Sequence, residues 1–324
     1  MRVTRRDFLT QMTATTGAAL SASLPVWGSE KQAPVIHSPF RVSVINDEIS
    51  QDFGRSCEVA ARGFGMQWIE LRGMWQKNIV NLDSKEVAEA QRILRKYDLR
   101  VTDIASPLFK VAWKDDPRAK ERQAEDFHAS FTFDQQGEVL ERSIELAQAF
   151  QTDRVRCFDF WRLDDPAPHR EAINQTLLDA ANKAGRKGLL LLLENDTGLN
   201  TSTGAEAAKV LGAVQSPYLM LNWDAGNAAA NGEKAYPDGY NLLPKDRIGH
   251  CHCKDVVRKG KDYSWVAMGK GMVDWEGQFR ALKHDGYHFA VSLETHWDAG
   301  GTPEKSSRQS WAGMKDLLQN AGAL

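Results

Sequence analysis

The sequence predicts an α/β protein, a (β/α)8 TIM barrel in a single domain. Eight short runs of β-branched and other apolar residues follow one another from residue 41 onward. Stretches with apolar residues at helical spacing separate these runs, and such alternation is typical of a parallel sheet covered by helices. An open doubly wound sheet is the alternative, but no G-x-G-x-x-G follows the first strand, so the dinucleotide fingerprint is missing. The pattern therefore favours the barrel.

The elements follow one another regularly along the chain. The predicted strands are Arg41–Asn46, Gln67–Leu71, Arg100–Ala105, Arg154–Phe160, Gly188–Glu194, Tyr218–Asp224, Ile248–Lys254 and Phe289–Glu294. Helical spacing is clearest between Val87 and Leu94 and between Val139 and Ala147. The segment Pro107–Phe133 is long, polar and rich in aromatic residues, and we expect either a lid over the catalytic end or an extra helix there.

Composition excludes several classes of protein. The chain has 324 residues, 42% hydrophobic and 26% charged, as expected for a globular protein with a sizeable core. A formal net charge of -2 argues against a general nucleic-acid binder. No run approaches the ~18 apolar residues of a membrane span, so we expect no stable membrane insertion. Four cysteines do not make a disulfide scaffold, and we expect Cys57 and Cys157 to be buried thiols.

The N-terminus is predicted to be an export signal. Arg5-Arg6-Asp7-Phe8-Leu9 precedes a mildly apolar, Ala- and Thr-rich stretch, an arrangement typical of a twin-arginine signal. We assign residues 1–29 to the signal, 30–40 to a linker and 41–324 to the barrel, which places the protein in a bacterial periplasm. Residues 1–29 hold three arginines and one aspartate, so the net charge of -2 becomes -4 after their removal. A disordered basic tail is the alternative.

Polar residues collect where the last four predicted strands end. Glu194, Asp224, His252 and Glu294 lie at or next to these ends, on strands five to eight. Because TIM barrels keep their chemistry at the carboxyl ends of the strands, we expect the four side chains to meet. Three carboxylates around one point repel one another unless a cation lies between them. This oxygen-rich set with one imidazole suits one divalent metal ion: Mn²⁺, Mg²⁺, Co²⁺ or Zn²⁺.

Several segments carry a resemblance to a known family. They are Glu70 in Ile69-Glu70-Leu71-Arg72, Leu193-Glu194-Asn195, Asn222-Trp223-Asp224-Ala225-Gly226-Asn227, His250-Cys251-His252-Cys253-Lys254-Asp255, Met268-Gly269-Lys270-Gly271-Met272-Val273-Asp274-Trp275 and Ser292-Leu293-Glu294. Over residues 41–324 the chain resembles the xylose-isomerase-like sugar isomerase/epimerase superfamily of TIM barrels. The resemblance implies the same four metal ligands, with Glu194 and Glu294 as acid and base on opposite faces of the sugar.

Substrate contacts are less closely matched. The resemblance implies that Arg258, six residues after His252, binds substrate. Asn227 stands where the epimerases usually have histidine, and Asp196 differs from their Glu-Asn-His sequence. Trp161 follows the fourth strand, and Lys254 is expected to stabilise a developing oxyanion. The candidate substrate-binding residues are therefore Glu70, Trp161, Asn227, Lys254 and Arg258.

These residues predict a divalent-metal-dependent sugar isomerase or epimerase. It would act on a ketose or keto-sugar by proton abstraction through an enediolate. The main alternative is a metal-dependent lyase or dehydratase that acts on keto-sugars or keto-glycosides with the same site. A phosphodiesterase would need more histidines and a basic groove, and a non-catalytic sugar-binding barrel would not need the intact ligand set. The expected partners are a small carbohydrate and, in a homo-oligomer, further copies of the chain.

Overall fold

The computed structural model describes residues 32–114, 116 and 130–324. The predicted export signal lies outside these residues, as does much of the segment expected to form a lid or an extra helix. Among the helices that are described, none combines the length and the apolar character that a membrane span requires.

Strands and helices alternate along the chain. The strands are β1 (Arg41–Val44), β2 (Trp68–Leu71), β3 (Gly73–Met74), β4 (Lys77–Asn78), β5 (Arg100–Leu108), β6 (Arg154–Cys157), β7 (Leu190–Glu194), β8 (Leu219–Asp224), β9 (Ile248–Cys253), β10 (Asp255–Lys259), β11 (Asp262–Val266) and β12 (Ala290–Leu293). The helices are α1 (Phe53–Glu58), α2 (Ser84–Tyr97), α3 (Gln136–Ala149), α4 (Arg170–Gly185), α5 (Gly204–Ala213), α6 (Ala225–Ala230), α7 (Tyr240–Leu242), α8 (Trp275–His284) and α9 (Pro303–Asn320).

Eight parallel strands form the barrel, in the order β1-β12-β9-β8-β7-β6-β5-β2. The two outer members of this order, β1 and β2, come together through a single parallel bridge between Ile45 and Glu70. All eight predicted strands are present, and their ends differ from the prediction by at most three residues. The predicted single-domain TIM barrel is therefore confirmed.

Strand pairing sets which side chains point into the barrel. His252 on β9 lies opposite Asp224 on β8 and Ser292 on β12. Because side chains alternate along a strand, Cys251 and Cys253 point away from the side that His252 occupies. All four cysteines are buried and free, which agrees with the prediction that Cys57 and Cys157 are buried thiols.

Two short hairpins extend the carboxyl ends of barrel strands. The β3–β4 hairpin follows β2, and the β10–β11 hairpin follows β9. Loops at this end of a TIM barrel usually surround the active site. The hairpins are therefore candidates for its walls.

Both ends of the segment expected to form a lid or a helix are anchored in an aromatic cluster. Phe109, Trp113, Phe133 and Phe160 have ring centroids 4.8–5.6 Å apart in neighbouring pairs. Phe160 follows β6, so the cluster ties the segment to the mouth of the barrel. Phe109 and Phe160 adopt left-handed backbone angles, with φ of 64° and 71°. Residues other than glycine seldom adopt this backbone conformation unless neighbouring groups stabilise it, and here the packed aromatic rings do so.

Candidate metal centre

The side chains from the ends of four consecutive barrel strands meet at one point. Glu194 ends β7, Asp224 ends β8, His252 lies in β9 and Glu294 follows β12. One candidate ligand atom from each lies within 4.8 Å of the others, and all four residues are buried. His252 Nδ1 is 3.1 Å from Glu194 Oε1 and 3.1 Å from Glu294 Oε2. The structure thus brings together the four residues that the sequence proposes as ligands.

Local hydrogen bonds fix the orientation of Asp224. Its Oδ1 caps α6 by accepting a hydrogen bond from the backbone N–H of Asn227 at 2.7 Å. The Asn195 side chain donates to the Asp224 carbonyl oxygen and accepts from the Asp224 N–H, at 2.8 and 2.9 Å. With Oδ1 used as a helix cap, Oδ2 is the oxygen that faces the cluster. The sequence Asp224-Ala225-Gly226-Asn227 therefore starts helix α6 and positions a candidate metal ligand.

Lys254 and Asp255 are neighbours in sequence, but their side chains point in different directions. Lys254 lies across α6, where a Cβ on Gly226 would come within 2.6 Å of its Cγ, so only glycine fits there. The Asp255 carboxylate accepts hydrogen bonds from the backbone N–H groups of Gly269 and Gly271, at 3.0 and 2.8 Å. The glycine-rich loop before α8 is thus anchored to the residue next to the site lysine.

The electrostatics of the cluster are dominated by buried carboxylates and one ammonium group. Lys254 Nζ lies 2.6 Å from Glu294 Oε2 and 2.7 Å from Asp224 Oδ2. Burial opposes its charge, but Asp224, Glu294 and Glu194 hold the pKa of Lys254 well above its ordinary value. Burial raises the pKa of Asp224 to about 6. Burial acts the same way on Glu294, but Lys254, His296 and His252 outweigh it and hold the pKa of Glu294 well below its usual range.

Two arginines that the sequence analysis did not single out hold the two glutamates. Arg156 Nη1 lies 3.1 Å from Glu194 Oε2, and Arg72 Nη1 lies 2.8 Å from Glu294 Oε1. Each glutamate therefore has one oxygen towards His252 and the other towards a guanidinium group. Arg72 directly follows β2, at the carboxyl end of a barrel strand, where the site residues of TIM barrels lie. This position is the feature from which Arg72 could have been predicted as a site residue.

A buried chain of polar groups lies behind His252. Its Nε2 is 3.0 Å from Glu70 Oε1, and the other oxygen of Glu70 is 3.1 Å from His250 Nε2. His250 Nδ1 lies 3.5 Å from Asp103 Oδ1. All four side chains are fully buried. Glu70 therefore contacts the two histidines, and its predicted role in substrate binding stays a prediction.

The donor set fits a divalent cation. If the Nε2–H of His252 donates to Glu70, Nδ1 presents its lone pair to Glu194 and Glu294 at 3.1 Å. A lone pair facing carboxylates is repulsive unless a cation or a proton lies between them. Carboxylates with one imidazole, and a second carboxylate that orients this imidazole, are typical of protein metal sites.

The remaining predicted residues differ in their distance from the cluster. Asn227 adjoins it, buried, and donates from Nδ2 to the Asn195 carbonyl oxygen at 3.0 Å. Trp161 is half-buried at the barrel mouth, with Lys110 Nζ 5.8 Å from its ring centroid. Arg258 is not brought to the cluster. The β10–β11 hairpin carries it outwards to pair with Tyr263, and it lines a separate cavity of about 280 Å³ beside Gly232.

Comparison with known proteins supports the assignment of the fold. The sequence profile of the family described as xylose isomerase-like TIM barrel matches residues 59–317. No curated protein matches the chain by sequence.

Solved structures with the same fold include a probable dehydratase, an epimerase and a zinc-bound protein. The probable 3-DHS dehydratase AsbF from Bacillus anthracis is 20% identical, with a TM-score of 0.66 over 86% of this chain and 99% of that one. A D-allulose 3-epimerase from Methylomonas sp. is 19% identical, with a TM-score of 0.63 over 88% and 99%. The IOLI protein, solved with a bound zinc atom, is 14% identical, with a TM-score of 0.69 over 86% and 98%. At these identities the similarity concerns the fold.

Proposed function

The chain belongs to the xylose isomerase-like TIM barrel family, and from this premise we propose that it is a divalent-metal-dependent sugar isomerase or epimerase. Its substrate would be a ketose or keto-sugar that loses a proton from the carbon beside its carbonyl group. One observation carries the proposal. Glu194 and Glu294 each direct one carboxylate oxygen to His252 Nδ1, and an arginine binds the other oxygen of each. Two fixed carboxylates in one cluster are what a two-base proton transfer needs.

Glu194, Asp224, His252 and Glu294 would hold the metal. When bound, a divalent ion supplies Lewis-acid polarisation of the substrate oxygens at neutral pH. Glu70 would keep His252 in the tautomer with Nδ1 free to bind, and Asn195 would keep Asp224 in place. Residues that are not themselves ligands would thus orient the metal-binding side chains.

The proton transfer can be followed through the chain's own residues. One of the two glutamates takes the proton as the C–H bond breaks, and the electron pair forms the double bond of an enediolate. The Lys254 ammonium group, 2.6 Å from Glu294 Oε2, lies where it can stabilise the oxygen that gains charge. Return of a proton by the other glutamate to the opposite face gives epimerisation, and return to the neighbouring carbon gives isomerisation.

A metal-dependent lyase or dehydratase is the second candidate. The first step is the same, but the enediolate expels a group from the next carbon and does not take a proton back. The presence of a probable dehydratase among the proteins of this fold supports keeping this outcome. The second candidate changes the product and leaves the roles of Glu194, Glu294 and Lys254 unaltered.

The test is metal-dependent deuterium exchange in D₂O, followed by NMR. The protein lacking residues 1–29 would be freed of metal, loaded with Mg²⁺ or Zn²⁺, and offered ketoses, 3-keto-sugars and 3-keto-glycosides. Deuterium in a product of unchanged connectivity supports the isomerase or epimerase. Deuterium with loss of water or an alcohol supports the lyase.

Two variants control this experiment. Glu294→Gln should abolish exchange, whereas Glu89→Gln, on the exposed side of α2, should behave as wild type. Exchange that persists without metal, or in Glu294→Gln, would contradict the proposal.

A further inference from the structure

A cavity of about 610 Å³ adjoins the metal centre on one side, and we name it the side cavity. It lies between Trp265 of β11 and the loop that carries His296, Trp297 and Asp298, with Glu48 and Arg72 in its wall. This volume falls within the range of ~300–1,000 Å³ that small-molecule sites occupy.

The Glu294 carboxylate separates the side cavity from the metal centre. Its Oε2 faces His252 and Lys254, at 3.1 and 2.6 Å. Its Oε1 faces Arg72 and His296, which line the side cavity, at 2.8 and 3.1 Å. A sugar ring that reacts at the Oε2 side of Glu294 would therefore lie next to the side cavity.

Two tryptophans give the side cavity surfaces suited to a sugar. Trp265 and Trp297 are half-buried, with part of each ring open to the cavity. The Trp265 ring centroid lies 5.2 Å from Lys254 Nζ and 5.6 Å from the His296 ring, so this indole spans both compartments. Indole faces pack against the C–H face of a sugar ring, and nearby polar groups bind its hydroxyls.

The loop that forms the far wall is held in a strained conformation. His296 has a left-handed φ of 47°, which few residues other than glycine adopt. Its backbone N–H donates to Glu48 Oε2 at 3.1 Å, which keeps it there. Strain that the surroundings maintain is typical of binding and catalytic sites.

The charge of the side cavity restricts its occupant. Asp47, Glu48 and Asp298 line it. Arg72 is engaged by Asp47 and Glu48 at 2.9 and 2.8 Å, so its charge is already balanced. A phosphate or carboxylate group would meet net repulsion there, whereas a neutral ring with hydroxyl groups would find acceptors.

We infer that the substrate carries a second, uncharged ring, as in a glycoside or disaccharide, and that this ring occupies the side cavity while the first ring reacts. The inference rests on the proposed function and names its substrate class. It also agrees with the absence of a site for a sugar phosphate among the groups that line this cavity.

The test compares two substrates that share the reacting ring. Metal-dependent deuterium exchange would be measured for 3-ketoglucose and for a disaccharide with 3-ketoglucose as one ring. We expect kcat/KM to be at least tenfold higher for the disaccharide. Trp297→Ala should bring this ratio close to one, and Trp297→Phe, which keeps an aromatic face, should retain most of it. Trp68→Ala should preserve the ratio, because Trp68 begins β2 at the opposite end of the barrel.

A binding experiment separates failure of this inference from failure of the proposed function. Calorimetry with unoxidised cellobiose, maltose and glucose needs no turnover, and we expect a disaccharide to bind more tightly than glucose in a way that Trp297→Ala removes. Exchange at equal kcat/KM for both keto-substrates would overturn the inference that a second ring binds in the side cavity, but it would leave the proposed function intact. Absence of exchange with this binding preference intact would overturn the function alone. Absence of both would overturn the two together.

Discussion

Glu70 Oε1 lies 3.0 Å from Nε2 of His252, on the far side of the imidazole from Glu194 and Glu294. In the tautomer of His252 that carries its proton on Nε2, this contact is a hydrogen bond donated to Glu70. With Nε2–H given to Glu70, Nδ1 is free to bind a cation, and the charge of Glu70 makes Nδ1 a stronger donor.

Replacement of Glu70 by glutamine should weaken metal binding without removing a ligand. The amide keeps the size of the side chain but loses its charge, so we expect affinity for Mn²⁺ or Zn²⁺ to fall by ~10–100-fold. Competition with a chelator would measure it, with Glu89→Gln as the surface control. Unchanged affinity would show that Glu70 is a packing residue only.

Lys254 should oppose metal binding while it stabilises the metal-free protein. Its ammonium group pairs with Glu294 and Asp224 at 2.6 and 2.7 Å, and breaking a buried pair costs ~3–5 kcal/mol. Lys254→Met should therefore lower the Tm of the metal-free protein. Saturating Mn²⁺ should raise the Tm of this variant by more than it raises that of wild type. Calorimetry would measure both shifts, with the exposed Lys187→Met as control. An equal metal-induced shift would contradict the competition.

Gly226→Ala should destabilise the protein and disturb Lys254. The new Cβ would lie 2.6 Å from Lys254 Cγ and 2.7 Å from the Lys254 carbonyl oxygen, and overpacking of this kind costs ~1–3 kcal/mol. Gly137→Ala is the matched control, because nothing lies within 4 Å of its Cβ and the change favours α3 by up to ~1 kcal/mol. Urea unfolding would compare them. Equal stability of Gly226→Ala and wild type would show that α6 can shift away.

The four thiols should resist alkylation at alkaline pH. Burial raises the pKa of Cys251 from 9.0 to about 12 and holds the pKa values of Cys57, Cys157 and Cys253 above their ordinary range. The folded protein binds these protons more tightly than the unfolded chain. The contribution of these thiols to stability is therefore fully present below pH 9 and is lost as the pH rises towards 12. Mass spectrometry after iodoacetamide treatment at pH 9 should find unmodified native protein. Modification at the rate of the guanidinium-unfolded control would contradict it.

Export should depend on the arginine pair. Replacement of Arg5 and Arg6 together by lysine keeps the charge of the segment but removes the two guanidinium groups that characterise a twin-arginine signal. In a bacterial host with this export route, we expect the variant to stay in the cytoplasm while wild type reaches the periplasm. Immunoblots of the two fractions would decide, and equal export of both proteins would contradict the signal assignment.

The sequence predicted the barrel and the four-residue cluster because both depend on local patterns. A strand with a polar residue such as Asp224 or Glu294 at its end or directly after it can be predicted from a few consecutive residues. The barrel topology then brings the ends of such strands together. Arg72 and Arg156 were not predicted as site residues because their partners Glu294 and Glu194 lie 222 and 38 residues away along the chain. Strand alternation indicates their direction but not their partner.

The position of Arg258 depends on the hairpin that carries it, and its predicted role in substrate binding stays a prediction. Its distance from His252 in sequence agrees with the family, but the β10–β11 hairpin begins directly after Lys254 and leads the chain outwards. Sequence spacing predicts spatial spacing only while the backbone continues in the same element.

The bridge between Ile45 and Glu70 gives the barrel a seam, and the Glu70 side chain also contacts His252, a candidate metal ligand. Binding of an ion by the four candidate ligands and closure of this seam would therefore be thermodynamically linked. Local opening at this seam would release His252 before the rest of the barrel unfolds, and a bound ion would slow amide exchange along both strands. If the candidate metal centre holds an ion, we expect the ion to enter and leave by opening of this seam.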